Sequence, residues 1–287
     1  MLLPQFIIDC ISKNDHKEHT GISATTLIDS PQVRHLKIKH KEEIEALRAA
    51  DPIRWNYSSF IGRSVHQYIE EFLAGPEAPD LLSEQTIHHC YGGVDIYGTP
   101  DIVDLPNKTL YDFKTTKVWG LLGGEAKREW INQLNVYRFL LEINGIKIDK
   151  MAVIAFTQDF SQRDADKDKD GGGYPQKPIL AIEVPHWGPL YKKTDIELMD
   201  MFVNRHKADP STFKCSDKET WRSETVNAVM KKGAARSSKN YAIKEAAEEH
   251  AKREGATVET RPGKATRCEG YCICSKFCPQ YQKELKK

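Results

Sequence analysis

Two carboxylates and one ammonium are spaced so that a single site could contain all three. Asp112 and Lys114 lie two residues apart, and Asp101 follows a proline, 11 residues before Asp112. Aspartate oxygens are hard ligands of the kind that bind Mg²⁺ or Mn²⁺. A bound cation lowers the pKa of water and polarises a phosphoryl oxygen, while a nearby lysine stabilises negative charge or orients the attacking water. The three residues therefore indicate metal-assisted hydrolysis of a phosphodiester.

An acid two residues before a lysine is a common pattern, and its simplest interpretation is a solvated charge pair. The same spacing occurs at three other places, Asp15/Lys17, Glu125/Lys127 and Glu284/Lys286. The pair at residues 112 and 114 differs because a β-rich pattern surrounds it, a Pro-Asp sequence precedes it and a helical pattern follows it.

Short β-rich segments surround these residues and predict how they are positioned. We expect strands at residues 86–91, 94–99, 101–105 and 109–114, with hairpin turns at Gly92-Gly93 and Pro106-Asn107, all in one sheet. Successive side chains of a strand point to opposite faces, so Asp112 and Lys114 share a face and Phe113 points into the core. Asp101, in the preceding strand, could reach that face across the hairpin.

Two predicted helices contain further candidates. Apolar residues recur at three- and four-residue steps over 57–73, and His66 lies on a neighbouring stripe of that helix. A lone histidine there is most simply a surface or hydrogen-bonded residue. A second helix, from about residue 125 to 144 and ended by Gly145, places Gln133 and Tyr137 one turn apart, which is a frequent coincidence in helices. Other patterns predict helices at 37–50, 190–207 and 241–254, and strands at 151–157 and 179–184.

Three segments taken together resemble the PD-(D/E)xK nuclease superfamily. They are residues 98–101 (Gly-Thr-Pro-Asp), 112–117 (Asp-Phe-Lys-Thr-Thr-Lys) and 133–137 (Gln-Leu-Asn-Val-Tyr). The resemblance is to the RecB-like branch, which includes the nuclease domains of RecB and AddB, CRISPR-associated exonucleases and phage recombination exonucleases. It spans roughly residues 61–137 and resumes near the C-terminus. In this branch a Gly-x-x-Val-His helix supplies a histidine ligand of the catalytic metal, and residues 62–66 match it.

The resemblance implies a role for each candidate residue. His66, Asp101 and Asp112, together with the carbonyl of Phe113, would hold Mg²⁺ or Mn²⁺. Lys114 would support the attacking water, and Gln133 and Tyr137 would face the DNA or position the scissile phosphate.

Four of the seven cysteines are clustered between residues 268 and 278. In a reducing compartment such clustering favours a metal site over disulfides, although free buried cysteines are the alternative. The series Cys268, Cys272 and Cys278 resembles the C-terminal three-cysteine cluster of RecB-like iron-sulfur nucleases. It departs from it by one residue of spacing, and Ser30 stands where that group has another cysteine.

A four-thiolate site needs a fourth cysteine beside those three. The candidates are Cys215, Cys274 and Cys10, and we favour Cys215 because it belongs to the same C-terminal segment, whereas Cys274 is too close to its neighbours in sequence. The four thiolates would bind a 4Fe-4S cluster or, equally well, Zn²⁺.

The expected architecture is an α/β fold in two parts. Residues 1–208 would form a PD-(D/E)xK, restriction-endonuclease-like core, a central mixed sheet flanked by helices and preceded by an N-terminal helical segment. Residues 209–287 would form a small helical appendage that contains the cysteine cluster. The chain has 287 residues, a formal net charge of +1 and no apolar stretch of about 20 residues, so we expect a cytoplasmic protein without membrane attachment. Any DNA binding must then come from a local basic channel.

The function that these features favour is a metal-dependent DNA exonuclease of recombination, repair or phage DNA metabolism. A structure- or sequence-specific endonuclease could use the same residues. From another class, the chain could be a non-catalytic DNA-binding subunit of a recombination complex. DNA is the expected partner, and a recombination or annealing protein or a helicase is a candidate protein partner.

Overall fold

The computed structural model describes residues 4–13, 19–74, 80–168, 173–209 and 212–285. The chain divides into two compact units, the first comprising Met1–Pro31 and Glu45–Pro210, the second Gln32–Ile44 and Ser211–Lys287. The expected boundary between residues 208 and 209 stays a prediction. Residues 32–44, which we expected in the first part, belong to the second unit.

Helices and strands both contribute to the fold, which is of mixed α/β type. The helices are α1 (Gln5–Ser12), α2 (Ala24–Ile28), α3 (Pro31–Lys39), α4 (Lys41–Ala50), α5 (Pro52–Leu73), α6 (Arg128–Ile143), α7 (Gln162–Lys167), α8 (Trp187–Tyr191), α9 (Asp195–Lys207), α10 (Lys244–Glu254), α11 (Thr266–Gly270) and α12 (Pro279–Glu284). The strands are β1 (Ile22–Ser23), β2 (Leu81–Ser83), β3 (Ile87–Tyr91), β4 (Val94–Gly98), β5 (Ile102–Asp104), β6 (Thr109–Thr116), β7 (Lys150–Thr157), β8 (Ile179–Glu183), β9 (Val226–Met230), β10 (Lys239–Tyr241) and β11 (Thr257–Arg261).

A five-stranded mixed sheet is the centre of the first unit. Its order is β2-β5-β6-β7-β8, in which β6 and β7 are parallel and the other neighbours antiparallel. All eight residues of β6 pair with β7, from Thr109 opposite Lys150 to Thr116 opposite Thr157. The parallel pair requires a crossover connection, which α6 supplies. Strand β6 is therefore paired on both sides.

The four strands that we expected in one sheet lie in two sheets, so that prediction is wrong. Strands β3 and β4 pair with each other and with β1 in a separate three-stranded sheet, while β5 and β6 belong to the central one. Pro100 lies between β4 and β5, and a proline has no N–H to donate to a sheet ladder. Both predicted hairpins are confirmed, because β3–β4 and β5–β6 are antiparallel. Gly92 and Gly93 both have positive φ, as a tight hairpin turn requires.

Helix α6 is buried around its whole circumference, whereas its sequence suggested a single apolar face. Every residue from Trp130 to Leu141 is buried, and the helix contacts α2, α8, β3, β4 and β6. The polar residues in this stretch are tolerated because they are bonded: Asn135, for example, donates to the carbonyl oxygens of Ile131 and Pro185. The helix ends before Gly145, which has φ +87°, as predicted.

The other predicted elements of the first unit are found with shifted ends. Strands β7 and β8 and helix α5 match their predictions, and α5 begins earlier because Asp51 caps it and Pro52 occupies its first turn. The expected helix 190–207 is two helices, because Thr194 forms a capping box with Glu197 at the start of α9. The expected helix 37–50 is also interrupted, between α3 and α4 at His40.

The second unit contains a sheet as well as helices, which corrects the expectation of a helical appendage. Strands β10, β9 and β11 form an antiparallel sheet in that order. Helix α10 packs on it through a small core of Val229, Ala247 and Ala251. The strands are short and lie beside lysine- and arginine-rich turns, so their sequence pattern is weak. Within the described parts of the chain, no helix combines the length and apolar character needed to cross a membrane.

Candidate metal centre

Strand β6 places Asp112 and Lys114 on the same face of the central sheet. The Lys114 Nζ atom lies 2.5 Å from Asp112 Oδ2, and Asp112 is 1% exposed. Phe113, expected in the core, is half-buried, and its ring packs edge-on against the rings of His66 and Phe156. The more deeply buried face of β6 is the one with Asp112, because α6 contacts Asp112 through Gln133.

Asp101 joins the start of β5 to the middle of β6. Its side chain accepts a hydrogen bond from the backbone N–H of Phe113 at 2.5 Å, and its own carbonyl accepts one from the N–H of Glu84. The antiparallel pairing of β5 with β6 brings the residue to this position, since Ile102 pairs with Tyr111. The Asp101 side chain is buried and lies close enough to Asp112 for the two charges to interact.

Helix α5 brings His66 to the same place. His66 Nε2 lies 3.3 Å from the carbonyl oxygen of Phe113. Its Nδ1 lies 3.4 Å from Glu84 Oε1 and 3.5 Å from Asp101 Oδ1. His66, Glu84 and Asp101 each have one ligand atom within 4.8 Å of those of the other two.

Glu84 is a member of this cluster that the sequence did not indicate. It follows β2 and has φ +50°, a left-handed conformation that is uncommon for a residue other than glycine. The pairing of Ser83 with Ile102 brings it beside Asp101. Because that pairing joins distant parts of the chain, no local spacing distinguished Glu84 from the other glutamates.

Gln133 and Tyr137 on α6 complete the surroundings of Asp112. The amide of Gln133 donates to Asp112 Oδ1 at 3.2 Å and to the hydroxyl oxygen of Tyr137 at 2.9 Å. Both side chains are buried. Burial and the charge of Asp112 raise the pKa of Tyr137 far above its ordinary value, so its hydroxyl keeps its proton. Gln133 therefore contacts Asp112 directly, and Tyr137 acts on Asp112 through Gln133.

The electrostatics of the cluster favour a cation. Burial, followed by the charge of Asp112, raises the pKa of the Asp101 carboxyl to about 7. Burial lowers the pKa of His66, but the hydrogen bond to Glu84 and the charge of Asp101 outweigh it, so the pKa is raised overall. Two buried carboxylates that interact unfavourably are stabilised when a positive charge is placed between them.

The donor atoms suit Mg²⁺ or Mn²⁺ in kind, and the carboxylates within 4.8 Å of His66 are Glu84 and Asp101, without Asp112. Carboxylate oxygens, a backbone carbonyl and an imidazole nitrogen converge, and oxygen-rich sites of this kind suit these ions. Adjacent ligands of an octahedral ion with bonds of 2.0–2.1 Å lie about 3 Å apart, close to the separation of His66 Nε2 and the Phe113 carbonyl. Among the described residues, Asp112 Oδ2 accepts no well-formed hydrogen bond and has only the ion pair with Lys114.

A second candidate site lies within the second unit. A cavity of about 370 Å³, including space open to solvent, is lined in part by Cys215, Cys268, Cys272 and Cys278. Gln280 holds the backbone of Cys215 by accepting from its N–H and donating to its carbonyl. Burial and the neighbouring thiols raise the pKa of Cys268 to about 11.

The two other candidate cysteines are placed differently. Cys274 is fully buried and its Sγ lies 3.9 Å from the carbonyl of Val33, while Cys10 is exposed and belongs to the first unit. Four thiolates around Zn²⁺ at 2.3 Å would be about 3.8 Å apart. In the described chain, no three cysteine sulfurs lie within 4.8 Å of one another. The thiols are therefore farther apart than the ligands of a closed zinc site.

The comparisons with known proteins give a fold relationship. No protein-family model matches the chain, and no curated protein matches it in sequence. The crystal structure of SSO0001 is similar, with 16% identity, a TM-score of 0.54, and coverage of 96% of this chain and 95% of that one. A phage related exonuclease from Haemophilus somnus 129PT has 14% identity and a TM-score of 0.34, with coverage of 66% of this chain and 93% of that one. The first similarity shows a shared fold, and the second is too low to support an argument.

Proposed function

We propose that the protein is a Mg²⁺- or Mn²⁺-dependent DNA exonuclease built on a PD-(D/E)xK centre of the RecB-like type. The observation that supports it most is the convergence of Asp101, Asp112, Lys114 and His66 from three separate elements around one β-strand. A buried pair of carboxylates with a lysine and a histidine has little structural value. The same set of groups suits metal-assisted phosphodiester hydrolysis.

The proposed cation ligands are His66 Nε2, the carboxylates of Asp101 and Asp112, and the carbonyl oxygen of Phe113. A bound Mg²⁺ or Mn²⁺ would supply a water of lowered pKa and polarise the phosphoryl oxygen. Glu84 is the residue that we add. By accepting a hydrogen bond from His66 Nδ1–H it would hold the histidine in the tautomer whose Nε2 is free to bind.

The remaining residues of the centre act through charge and position. The Lys114 side chain is 23% exposed, so its ammonium can meet a phosphate that enters from solvent and offset the negative charge that develops on it. Gln133 holds Asp112 Oδ1 and is itself held by Tyr137. We assign Gln133 and Tyr137 to the positioning of Asp112, because both are buried.

We also propose that Cys215, Cys268, Cys272 and Cys278 bind a 4Fe-4S cluster or Zn²⁺ within the second unit. The support is that all four line one cavity. Such a site would stabilise the second unit and contribute no catalytic position, since all its ligand positions would be protein thiolates.

The substrate and mode of cleavage are tested with three DNA substrates. End-labelled linear duplex, linear single strands and covalently closed circles are incubated with Mg²⁺ or Mn²⁺, with EDTA as control. We expect the linear DNA to be shortened from its ends and the circles to survive, and the position of the label gives the polarity. Cleavage of circles would show that the protein is an endonuclease and not an exonuclease. Binding of DNA without any cleavage would replace both by a non-catalytic subunit of a recombination complex.

A further inference from the structure

A short 3-10 turn directly after β6 holds two apolar side chains out to solvent. The turn spans Val118–Leu121, and in a 3-10 helix side chains three residues apart lie on one face. Val118 and Leu121 are 5% and 3% exposed and face the core. Trp119 in the turn and Leu122, the extended residue directly after it, are 69% and 56% exposed.

The turn that presents these two side chains is held at its first residue and beside Gly120. The N–H of Val118 donates to Asp159 Oδ1 at 2.7 Å. Lys127 Nζ donates to Thr116 Oγ1 and fills the space where a Cβ at Gly120 would lie, 2.6 Å from that nitrogen. The burial of Val118 and Leu121 stabilises the turn further. A tryptophan held outward by a fixed turn is unusual, because such a side chain normally contributes its large apolar surface to a core.

The turn lies within reach of a DNA strand that occupies the metal centre. Trp119 is five residues beyond Lys114, so their Cα atoms are at most about 18 Å apart. One strand of B-form DNA advances 3.4 Å per nucleotide. Trp119 is therefore within about five nucleotides of a phosphate at Lys114.

The charges around the turn nearly cancel, so they form no strongly basic patch for phosphates. Segment 117–129 contains three cations, Lys117, Lys127 and Arg128, and two acids, Glu125 and Glu129, so its formal charge is +1. Lys127 already bonds Thr116, and Arg128 lies over the ring of Tyr191. The feature of this segment that is both large and uncommitted is the indole ring.

We propose that Trp119 stacks on an unpaired nucleobase of the DNA strand that enters the metal centre, with Leu122 packed beside the same base. The inference rests on the proposed function and deepens it, since it assigns a substrate contact outside the metal ligands. Stacking on an aromatic ring is tolerant of sequence because every base has a π-face. The contact would hold a strand end in place while the phosphodiester beside Lys114 is hydrolysed.

The test measures DNA affinity in the full chain with Lys114→Ala as the background, so that the DNA is not degraded. The probe is a fluorescein-labelled single strand of 12 nucleotides. We expect Trp119→Ala to weaken binding about 5- to 100-fold and Trp119→Phe to stay within about threefold. Ile196→Ala is the matched control, because that side chain is 61% exposed on α9, and it should bind as the background does. The loss should change little with salt concentration, in contrast to the loss of a phosphate contact.

Abasic DNA distinguishes stacking from a structural effect. With abasic residues at the five positions nearest the end, the background and Trp119→Ala should bind equally. Equal affinity of Trp119→Ala and the background for normal DNA, or an equal loss on both DNAs, would overturn the inference. The same holds if Trp119→Ala changes self-association and leaves DNA affinity intact. If the parent chain cleaves no DNA but Trp119 still governs base-dependent binding, the proposed function fails and the stacking contact stands.

Discussion

The surroundings of Asp101 oppose its negative charge. Its side chain is buried, its nearest charged neighbours include a second carboxylate, and its pKa is raised to about 7. The proposed cation relieves this conflict, because it adds positive charge beside both carboxylates, to which Lys114 and His66 already contribute. We therefore expect the two buried carboxylates to lower the free energy of unfolding when the cation is removed.

Asp101→Asn should stabilise the metal-free protein at pH 8. The folded pKa is above the ordinary value of about 4, so between pH 4 and 7 the native state binds more protons than the unfolded state, and stability falls as pH rises through this window. We expect the variant to lack this fall and to gain about 2–4 kcal/mol at pH 8, and little near pH 4. Urea denaturation in EDTA at both pH values measures it. If the free energy of unfolding changes with pH in the same way in parent and variant, the raised pKa of Asp101 is not the cause of the fall.

Glu84→Gln should weaken Mn²⁺ binding while the fold is retained. Loss of the carboxylate beside His66 Nδ1 removes the group that orients the ring, and such changes cost about 10- to 100-fold in metal affinity. Electron paramagnetic resonance of free Mn²⁺ measures the affinity. Glu70→Gln is the control, since Glu70 is an exposed residue of α5, one turn after His66. Equal affinities of Glu84→Gln and Glu70→Gln would remove Glu84 from the centre.

At this scale the sequence predicts some residues of the centre and misses others. The alternation of a strand was enough to place Asp112 and Lys114 on one face, and they form the ion pair that this implies. Glu84 could not be predicted, because its position depends on the pairing of β2 with β5 and on a left-handed backbone conformation. The depth of Phe113 was also misjudged, because alternation gives opposite faces without saying which one is covered.

At the scale of elements, the centre depends on one strand between two helices. Strand β6 provides Asp112, Phe113 and Lys114, α5 provides His66, and α6 covers Asp112. Helices α5, α6 and α10, the two hairpins and the strands β7 and β8 were predictable, because each has a local pattern. The separation of β3 and β4 into a second sheet was not, since strand patterns do not state their partners.

Gly98→Ala should disturb the metal centre, although Gly98 lies on β4, in the sheet that β4 forms with β1 and β3. A Cβ at Gly98 would lie 2.6 and 2.7 Å from two ring atoms of Tyr137, so the ring must move. We expect a loss of about 1–3 kcal/mol in stability and slower cleavage, because Tyr137 holds Gln133 against Asp112. Thermal unfolding and the rate of DNA digestion are the measurements.

Gly62→Ala is the matched control for that substitution. Gly62 lies within α5 in the same motif as His66, and the nearest atom to its Cβ would be Thr115 Oγ1 at 3.7 Å. Alanine is favoured over glycine inside a helix by about 0.5–1 kcal/mol, so this variant should be at least as stable as the parent. If both glycine variants behave alike, the contact of Gly98 with Tyr137 does not position the centre.

At the scale of the whole molecule, the two units present two different ligand chemistries. The first unit gathers oxygen and imidazole donors, and the second gathers thiols. The clustered cysteines predict the second site from sequence, and it stays a prediction. The strands around it were not, because β9 and β11 are five residues long and lack a continuous apolar pattern.

Cys268→Ser should remove bound iron or zinc and destabilise the second unit. The thiols have to lose protons to bind metal, and the energy of metal binding then stabilises the fold. Metal analysis of protein purified without oxygen measures the content, and visible absorption separates an iron-sulfur cluster from Zn²⁺, which has no such absorption. Cys90→Ser is the control, because Cys90 is exposed on β3. A parent chain without either metal would contradict the site.

The central claim is that Asp101, Asp112, Lys114 and His66 form one metal-dependent phosphodiesterase centre. The most direct measurement is the rate of degradation of end-labelled linear DNA by the parent, by Lys114→Ala and by Lys108→Ala, with Mg²⁺ or Mn²⁺ and with EDTA. Lys108 is an exposed lysine at the other end of β6.

We expect cleavage by the parent and by Lys108→Ala that EDTA abolishes. Lys114→Ala should cleave at least about 100- to 1,000-fold more slowly and still bind DNA. A parent as inactive as Lys114→Ala, or a Lys114→Ala variant as active as the parent, would contradict the account.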